Sequence, residues 1–233
     1  MKKIGIIGAM ELEVAELKSK MEIKNIVERA GMKFHEGTLN GKDVVIVQCG
    51  IGKVNAAMCT QALIDMYQPE AVINTGIAGS LKAEIEIGDI VLSEDAVQHD
   101  MDAAAFGYEP GQIPRVDTLA FQADPDLINL AKICCAKVNP DIHTFTGRVV
   151  SGDQFISDKA KKKWLTETFD GCCTEMEGAA IAQVCYFNKI PFLIVRAISD
   201  KADDSASMDY PEFEAKAICH SVNLMTEMIR CKA

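Results

Sequence analysis

"PFLIVRAISDKADD", Pro191 to Asp204, passes from a β-branched apolar run straight into a knot of acid. Between Phe192 and Ile198 only Arg196 is charged, and Ser199, Asp200, Asp203 and Asp204 then follow in quick succession. An apolar run of this length behind a proline has the pattern of a strand buried on both faces, as in a parallel sheet. In open α/β sheets ligands bind outside the carboxyl ends of the strands, so Asp200 stands where chemistry is commonly done. The competing reading makes these acids a solvated turn and the cap of the next helix.

Working outward, strand-like runs recur at 2–9, 42–50, 70–76, 88–97 and 147–152, besides 191–199. Helical patterns at 11–21, 53–67, 124–138, 158–168, 177–189 and 209–231 separate them. Such alternation predicts a mostly parallel sheet covered by helices on both faces. Asn40-Gly41, between "KFHEGTL" and "KDVVIVQ", is a hairpin signal, so part of the sheet is expected to be antiparallel. With no internal repeat and no Pro/Gly linker, one domain over 1–233 is expected. The irregular stretch 99–118 is long enough to suggest a functional or interface loop.

The 233 residues are 48% hydrophobic, enough for a sizeable core, and carry a formal net charge of −10. That charge argues against nucleic acid as a partner, since no Lys/Arg stripe is available to release its counterions. The one basic run, "DKAKKKW" at 158–164, reads as a solvated helix face. Nine cysteines without a C-x-x-C, and four histidines without ligand spacing, suggest reduced thiols in a cytoplasmic protein with no metal or cofactor. Glu11 and Glu13 interrupt the apolar N-terminal run, and no segment reaches membrane-spanning length, so neither a leader nor a membrane partner is expected.

Glycines punctuate several strand ends: Gly5 and Gly8, Gly50 and Gly52, Gly76 and Gly79, and Gly152. They allow backbone to approach a ligand closely. None completes G-x-G-x-x-G or a P-loop, which disfavours dinucleotides and nucleoside triphosphates. Acids share these ends: Glu11 and Glu13 after the first strand, Glu175 and Glu177 flanking Met176, and Asp200 after the last. Glu177 precedes the small-residue helix start Gly178-Ala179-Ala180, so simple complementarity to a helix end is its competing reading. Together the acids suggest one polar pocket walled by Met10, Ile51, Phe155, Ile156 and Met176. The residues by themselves do not separate an enzyme from a protein that only binds its ligand.

"IGIIGAMELEV", "GIGKVNAA", "NTGIAGS", "GDIVLSEDAVQHDMDAAAFGYEPGQIP", "VSGDQFI", "TEMEGAAIAQVC" and "VRAISDKAD" resemble, in order and over almost the whole chain, the 5′-methylthioadenosine/S-adenosylhomocysteine nucleosidases of the purine nucleoside phosphorylase superfamily. The resemblance implies an α/β fold, a three-layer α/β/α sandwich around a twisted mixed central sheet. It also implies a homodimer that hydrolyses adenosine thioethers without a cofactor. On the matching positions, Asp200 is the general acid at purine N7, Glu13 activates water and Glu177 accepts from ribose hydroxyls. Met176 packs under the ribose, Phe155 stacks on adenine, and backbone groups of Ile156 read its edge. Ala9, Met10 and Ile77 belong to the same pocket, Ile51 and Tyr210 to the 5′-alkylthio channel. Phe106 and Pro114, from the long loop, close the neighbouring subunit's pocket. The chain departs from the pattern at Ile77, where many relatives carry a serine able to hold the acid; Ser199 is the candidate substitute.

The chemistry explains the demand for acids. Cleaving a sugar from adenine creates an oxocarbenium-like centre and a poor anionic leaving group, so the base needs a proton and the sugar needs negative charge nearby. A phosphorylase would instead need arginines for a phosphate dianion, where the early loop offers Glu11 and Glu13. Arg196 is expected to pair with a nearby acid.

Overall fold

The computed structural model describes residues 3–201 and 210–232. The N-terminal half runs β1 (Ile4–Gly8), α1 (Glu11–Ser19), β2 (Glu22–Arg29), β3 (Met32–Leu39), β4 (Lys42–Gln48), α2 (Lys53–Tyr67), β5 (Ala71–Ser80) and β6 (Ile90–Gln98). A single 3₁₀ turn, Ala104–Phe106, interrupts the long loop. Then follow β7 (Phe121–Gln122), α3 (Pro125–Val138), β8 (Thr144–Ser151), α4 (Lys159–Phe169), β9 (Gly171–Glu175), α5 (Gly178–Asn188), β10 (Phe192–Asp200) and α6 (Tyr210–Cys231).

Every strand and helix expected from periodicity is present, and β10 is buried along its length until Asp200. The antiparallel β3/β4 hairpin turns through Asn40 and Gly41, both at positive φ, which glycine and asparagine tolerate best. Two differences have physical reasons. "NTGIAGS" is not a turn: β5 continues through Ser80, because β10 pairs with it as far as Gly79. The short β9 and the exposed edge strand β2 also join the sheet, neither having a long apolar run to announce it.

Hydrogen bonding orders the strands β2-β3-β4-β1-β5-β10-β6-β8-β9, with β7 beside β6. The parallel centre is β4-β1-β5-β10, and β6-β8-β9 is a second parallel group joined antiparallel to β10. Twist carries β9 back to β5, where Gly79 and Ser80 face Thr174 and Cys173, so this part of the sheet closes on itself. Helices α2 and α5 pack together on one side, while α1 and α3 pack on α6 on the other, and α4 rests on β8 and β9. These are the three layers expected. The ends of β1, β5, β9 and β10 are thereby gathered at one point. No helix among the described residues is long and apolar enough to cross a membrane.

Candidate active site

From the end of β1 the chain turns at Ala9 and Met10 into α1, whose first turn carries Glu13 back over the strand end. Glu13 Oε2 accepts from the backbone N–H of Ala9 (2.7 Å) and Met10 (2.9 Å), and Oε1 from that of Ile77 (3.1 Å). Burial raises its pKa, opposed first by Arg196 and then by these three donors. One carboxylate thus ties β1 to β5 and still presents an edge to the space beyond.

At the end of β9 two acids divide the labour. Glu175 Oε2 accepts from the backbone of Glu177 (3.0 Å) and Gly178 (2.8 Å), and its Oε1 from Ser151 Oγ. It therefore satisfies the start of α5, the duty that simple helix-end complementarity would have given Glu177. Glu177 instead turns outward, its Oε1 accepting from Gly52 N at 2.8 Å. Burial, reinforced by the charge of Glu175, pushes its pKa up to about 7.

Arg196 sits among these acids, fully buried on β10. Its Nη2 donates to Asn74 Oδ1 at 2.5 Å, pairs with Glu175, and stands 3.9 Å from Glu177 Oε2. Burial alone would lower its pKa, but Glu175, Glu177 and Glu13 together outweigh that and raise it. The expected structural pairing is what the structure contains. Gly76 lies opposite Arg196 in the sheet, and a Cβ there would fall on both Arg196 and Glu13.

Asp200 closes β10 beside Gly79, with Ser199 Oγ donating to its Oδ1 at 3.2 Å. Lys201, directly after Asp200, is not helical, so Asp200 is not the N-cap of a helix. From α4, Lys162 Nζ donates to the Lys201 carbonyl (2.7 Å) and to Asp200 Oδ2 (3.4 Å). The basic run is thus only partly a solvated face: Lys159 and Lys163 are exposed, Lys161 lies over the Trp164 ring, and Lys162 is buried.

A cavity of about 220 Å³ opens where these elements meet. The sequence-derived residues Ala9, Met10, Glu13, Ile51, Ile77, Phe155, Met176, Glu177, Ser199 and Asp200 all line it, joined by Ala78, Gly79, Thr174 and Glu175. Ile156 borders an adjoining recess of about 40 Å³ shared with Asp200 and Phe155. Ile77 faces Glu13 through its backbone, and Ser199 does reach Asp200, as its candidate role requires. Phe106 and Pro114 do not line this cavity, and Phe106 is 83% exposed. Asp203, Asp204 and the side chain of Tyr210 lie outside the described residues. Sequence reading missed Lys162 and the capping duty of Glu175; a lysine at the same helical spacing as Leu165 and Phe169 was the available signal for the first.

The sheet and its rim of acids define a class. The family model described as the phosphorylase superfamily matches residues 3–230. A 5′-methylthioadenosine/S-adenosylhomocysteine nucleosidase of Chromohalobacter salexigens is 42% identical over 231 residues, 99% of this chain and 97% of its own. The nucleosidase of that name from Neisseria meningitidis, solved with methylthio-immucillin-A, is 37% identical and superposes with a TM-score of 0.93 over 100% of both chains. That from Colwellia psychrerythraea, solved with adenine, is 43% identical with a TM-score of 0.92, over 98% of this chain and 94% of its own. The chain belongs to the 5′-methylthioadenosine/S-adenosylhomocysteine nucleosidase family of the phosphorylase superfamily.

Proposed function

We propose that this chain hydrolyses the N-glycosidic bond of 5′-methylthioadenosine and S-adenosylhomocysteine, releasing adenine and the 5′-thioribose. The observation that carries the reading is the convergence of Glu13, Glu177 and Asp200 on one apolar-walled cavity. Asp200 gives its proton to N7 as the C1′–N9 bond breaks, and the bonding pair enters the purine, which leaves as neutral adenine. Water held by Glu13 adds to C1′ and yields a proton to Glu13, so one proton passes from acid to base and solvent resets both. Glu177 accepts from the ribose hydroxyls and, with Glu13, faces the positive sugar. Met176 lies beneath the ribose and Phe155 against the adenine, whose edge the Ile156 backbone reads. General acid catalysis of this kind contributes ~10²- to 10⁴-fold.

A phosphorylase would have to hold a phosphate dianion in place of the water. Each carboxylate at about 4 Å would oppose each unit of that charge by ~4 kcal/mol at an effective dielectric of 20, so roughly 8 kcal/mol against the dianion. Arg196, already shared by Glu175, Glu177 and Asn74, offers no counterweight.

The working unit in this reading is a homodimer in which Phe106 and Pro114 close the neighbouring copy's cavity. Its support is the exposed Phe106 together with Val54 and Phe187, both exposed and both lining one groove between α2 and α5. The described cysteines are unpaired and mostly buried, which suits a cytoplasmic enzyme.

The test is adenine release from methylthioadenosine without phosphate, extended to S-adenosylhomocysteine, 5′-deoxyadenosine and aminodeoxyfutalosine to rank substrates. Strict phosphate dependence would overturn the hydrolase. Asp200→Asn should fold and lose at least ~10²-fold, mainly in kcat, while Asp203→Asn and Asp204→Asn stay near the parent.

A further inference from the structure

Lys162 is the one member of the basic run that the sheet has swallowed. A buried ammonium is costly unless it finds acceptors, and Lys162 is 6% exposed. The acceptors it finds among the described residues are the Lys201 carbonyl at 2.7 Å and Asp200 Oδ2 at 3.4 Å. Asp200 is the last residue of β10 and Lys201 directly follows it. The lysine therefore grips the acid and the backbone that carries it. The helix register fixes this orientation, because Lys162 shares one buried face of α4 with Leu165 and Phe169, and its carbonyl accepts from Thr166 Oγ1 at 3.0 Å.

We propose that Lys162 is a positioning residue for the reaction, holding Asp200 in line with purine N7 and taking up the charge left on its carboxylate when the proton departs. This rests on Asp200 being the general acid. The two donors on Asp200 divide its oxygens: Ser199 Oγ reaches Oδ1 and Lys162 Nζ reaches Oδ2. Together they stop the carboxyl group from rotating. Gly79 leaves the room for this, since a Cβ there would lie 2.8 Å from Oδ2. A hydrogen bond from an ammonium is stronger to a carboxylate than to a neutral acid. Its strength therefore grows as Asp200 gives up the proton, and an interaction that grows toward the transition state acts on kcat more than on substrate binding.

The test compares Lys162→Met, Lys162→Arg, Asp200→Asn and the double variant Lys162→Met/Asp200→Asn, with steady-state adenine release and a thermal melt for each. Met matches the length and suits the apolar side of α4. A lost charge-assisted bond predicts a kcat for Lys162→Met about 10- to 100-fold below the parent, with KM changed less than about threefold. Lys162→Arg, which keeps the donor charge, should recover most of that loss. In the Asp200→Asn background Lys162→Met should cost nothing further, because the group it serves is already disabled. Full kcat in Lys162→Met, no recovery with Arg, or losses that multiply in the double variant would each overturn the proposal and leave Lys162 a packing residue. Full activity in Asp200→Asn would instead sink the general-acid assignment, so the two failures are told apart.

Discussion

Replacing Arg196 by Met would remove the cation that Glu175 and Glu177 share while keeping much of its volume. Glu175 would lose its ion-pair partner, Asn74 Oδ1 its donor at 2.5 Å, and Glu177 and Glu13 their compensating charge. Removing one partner of a buried pair costs about 3–5 kcal/mol. For a chain of this size each kcal/mol moves the melting temperature by roughly 2–4 °C, so a drop of about 6–20 °C is expected at pH 8. The sign of the pH dependence follows from the acids. Glu177 already titrates at about 7 in the fold against an ordinary value of 4.5, and Arg196 lowers it. Without the arginine its folded pKa climbs further. A carboxyl whose folded pKa lies above its unfolded one binds more protons folded than unfolded, so stability is lost as pH rises through that window and regained as pH falls. The deficit against the parent should therefore be largest at pH 8 and shrink toward pH 5. Melts at both pH values, with adenine release measured on the same samples, check this. A variant that melts within about 2 °C of the parent at both would refute the account of a charge cluster held by Arg196.

Because Glu177 must be ionised to accept from the ribose, kcat/KM should fall below about pH 7, and Glu177→Gln should lose that acid limb along with most substrate affinity. Gly76→Ala puts a Cβ 2.5 Å from Glu13 Oε1 and onto Arg196, so it should lower the melting temperature and nearly abolish turnover; normal values for both would contradict the packing. Phe106→Ala should leave the melt unchanged and raise KM for methylthioadenosine several-fold, whereas a fully active monomer in sedimentation would exclude the shared-cavity dimer.

What the sequence disclosed was local. The apolar run into Asp200 announces a buried strand because burial on both faces leaves a chemical mark on consecutive residues, and the helices announce themselves through their period. β2 left no such mark because it sits at the edge with both faces wet, and β9 because Gly171-Cys172-Cys173-Thr174-Glu175 contains no aliphatic run. The carboxylates of the site were legible as a set, but not their division of duties. Glu175 and Glu177 are two residues apart with the same chemistry, and which one caps α5 depends on Ser151 and Arg196, brought in from β8 and β10. The same holds for Asp200. Its neighbour along the chain, Ser199, could be named from sequence as a donor, while Lys162, 38 residues earlier, could not. Yet the run that hides Lys162 contained its own clue. A lysine three and seven residues before Leu165 and Phe169 falls on the stripe that helix geometry sends inward, and a charge on that stripe must meet an acceptor on the surface beneath it. Reading α4 by face rather than by composition would have turned a solvated basic patch into a question about what lies under it, and the answer is the acid at the end of β10.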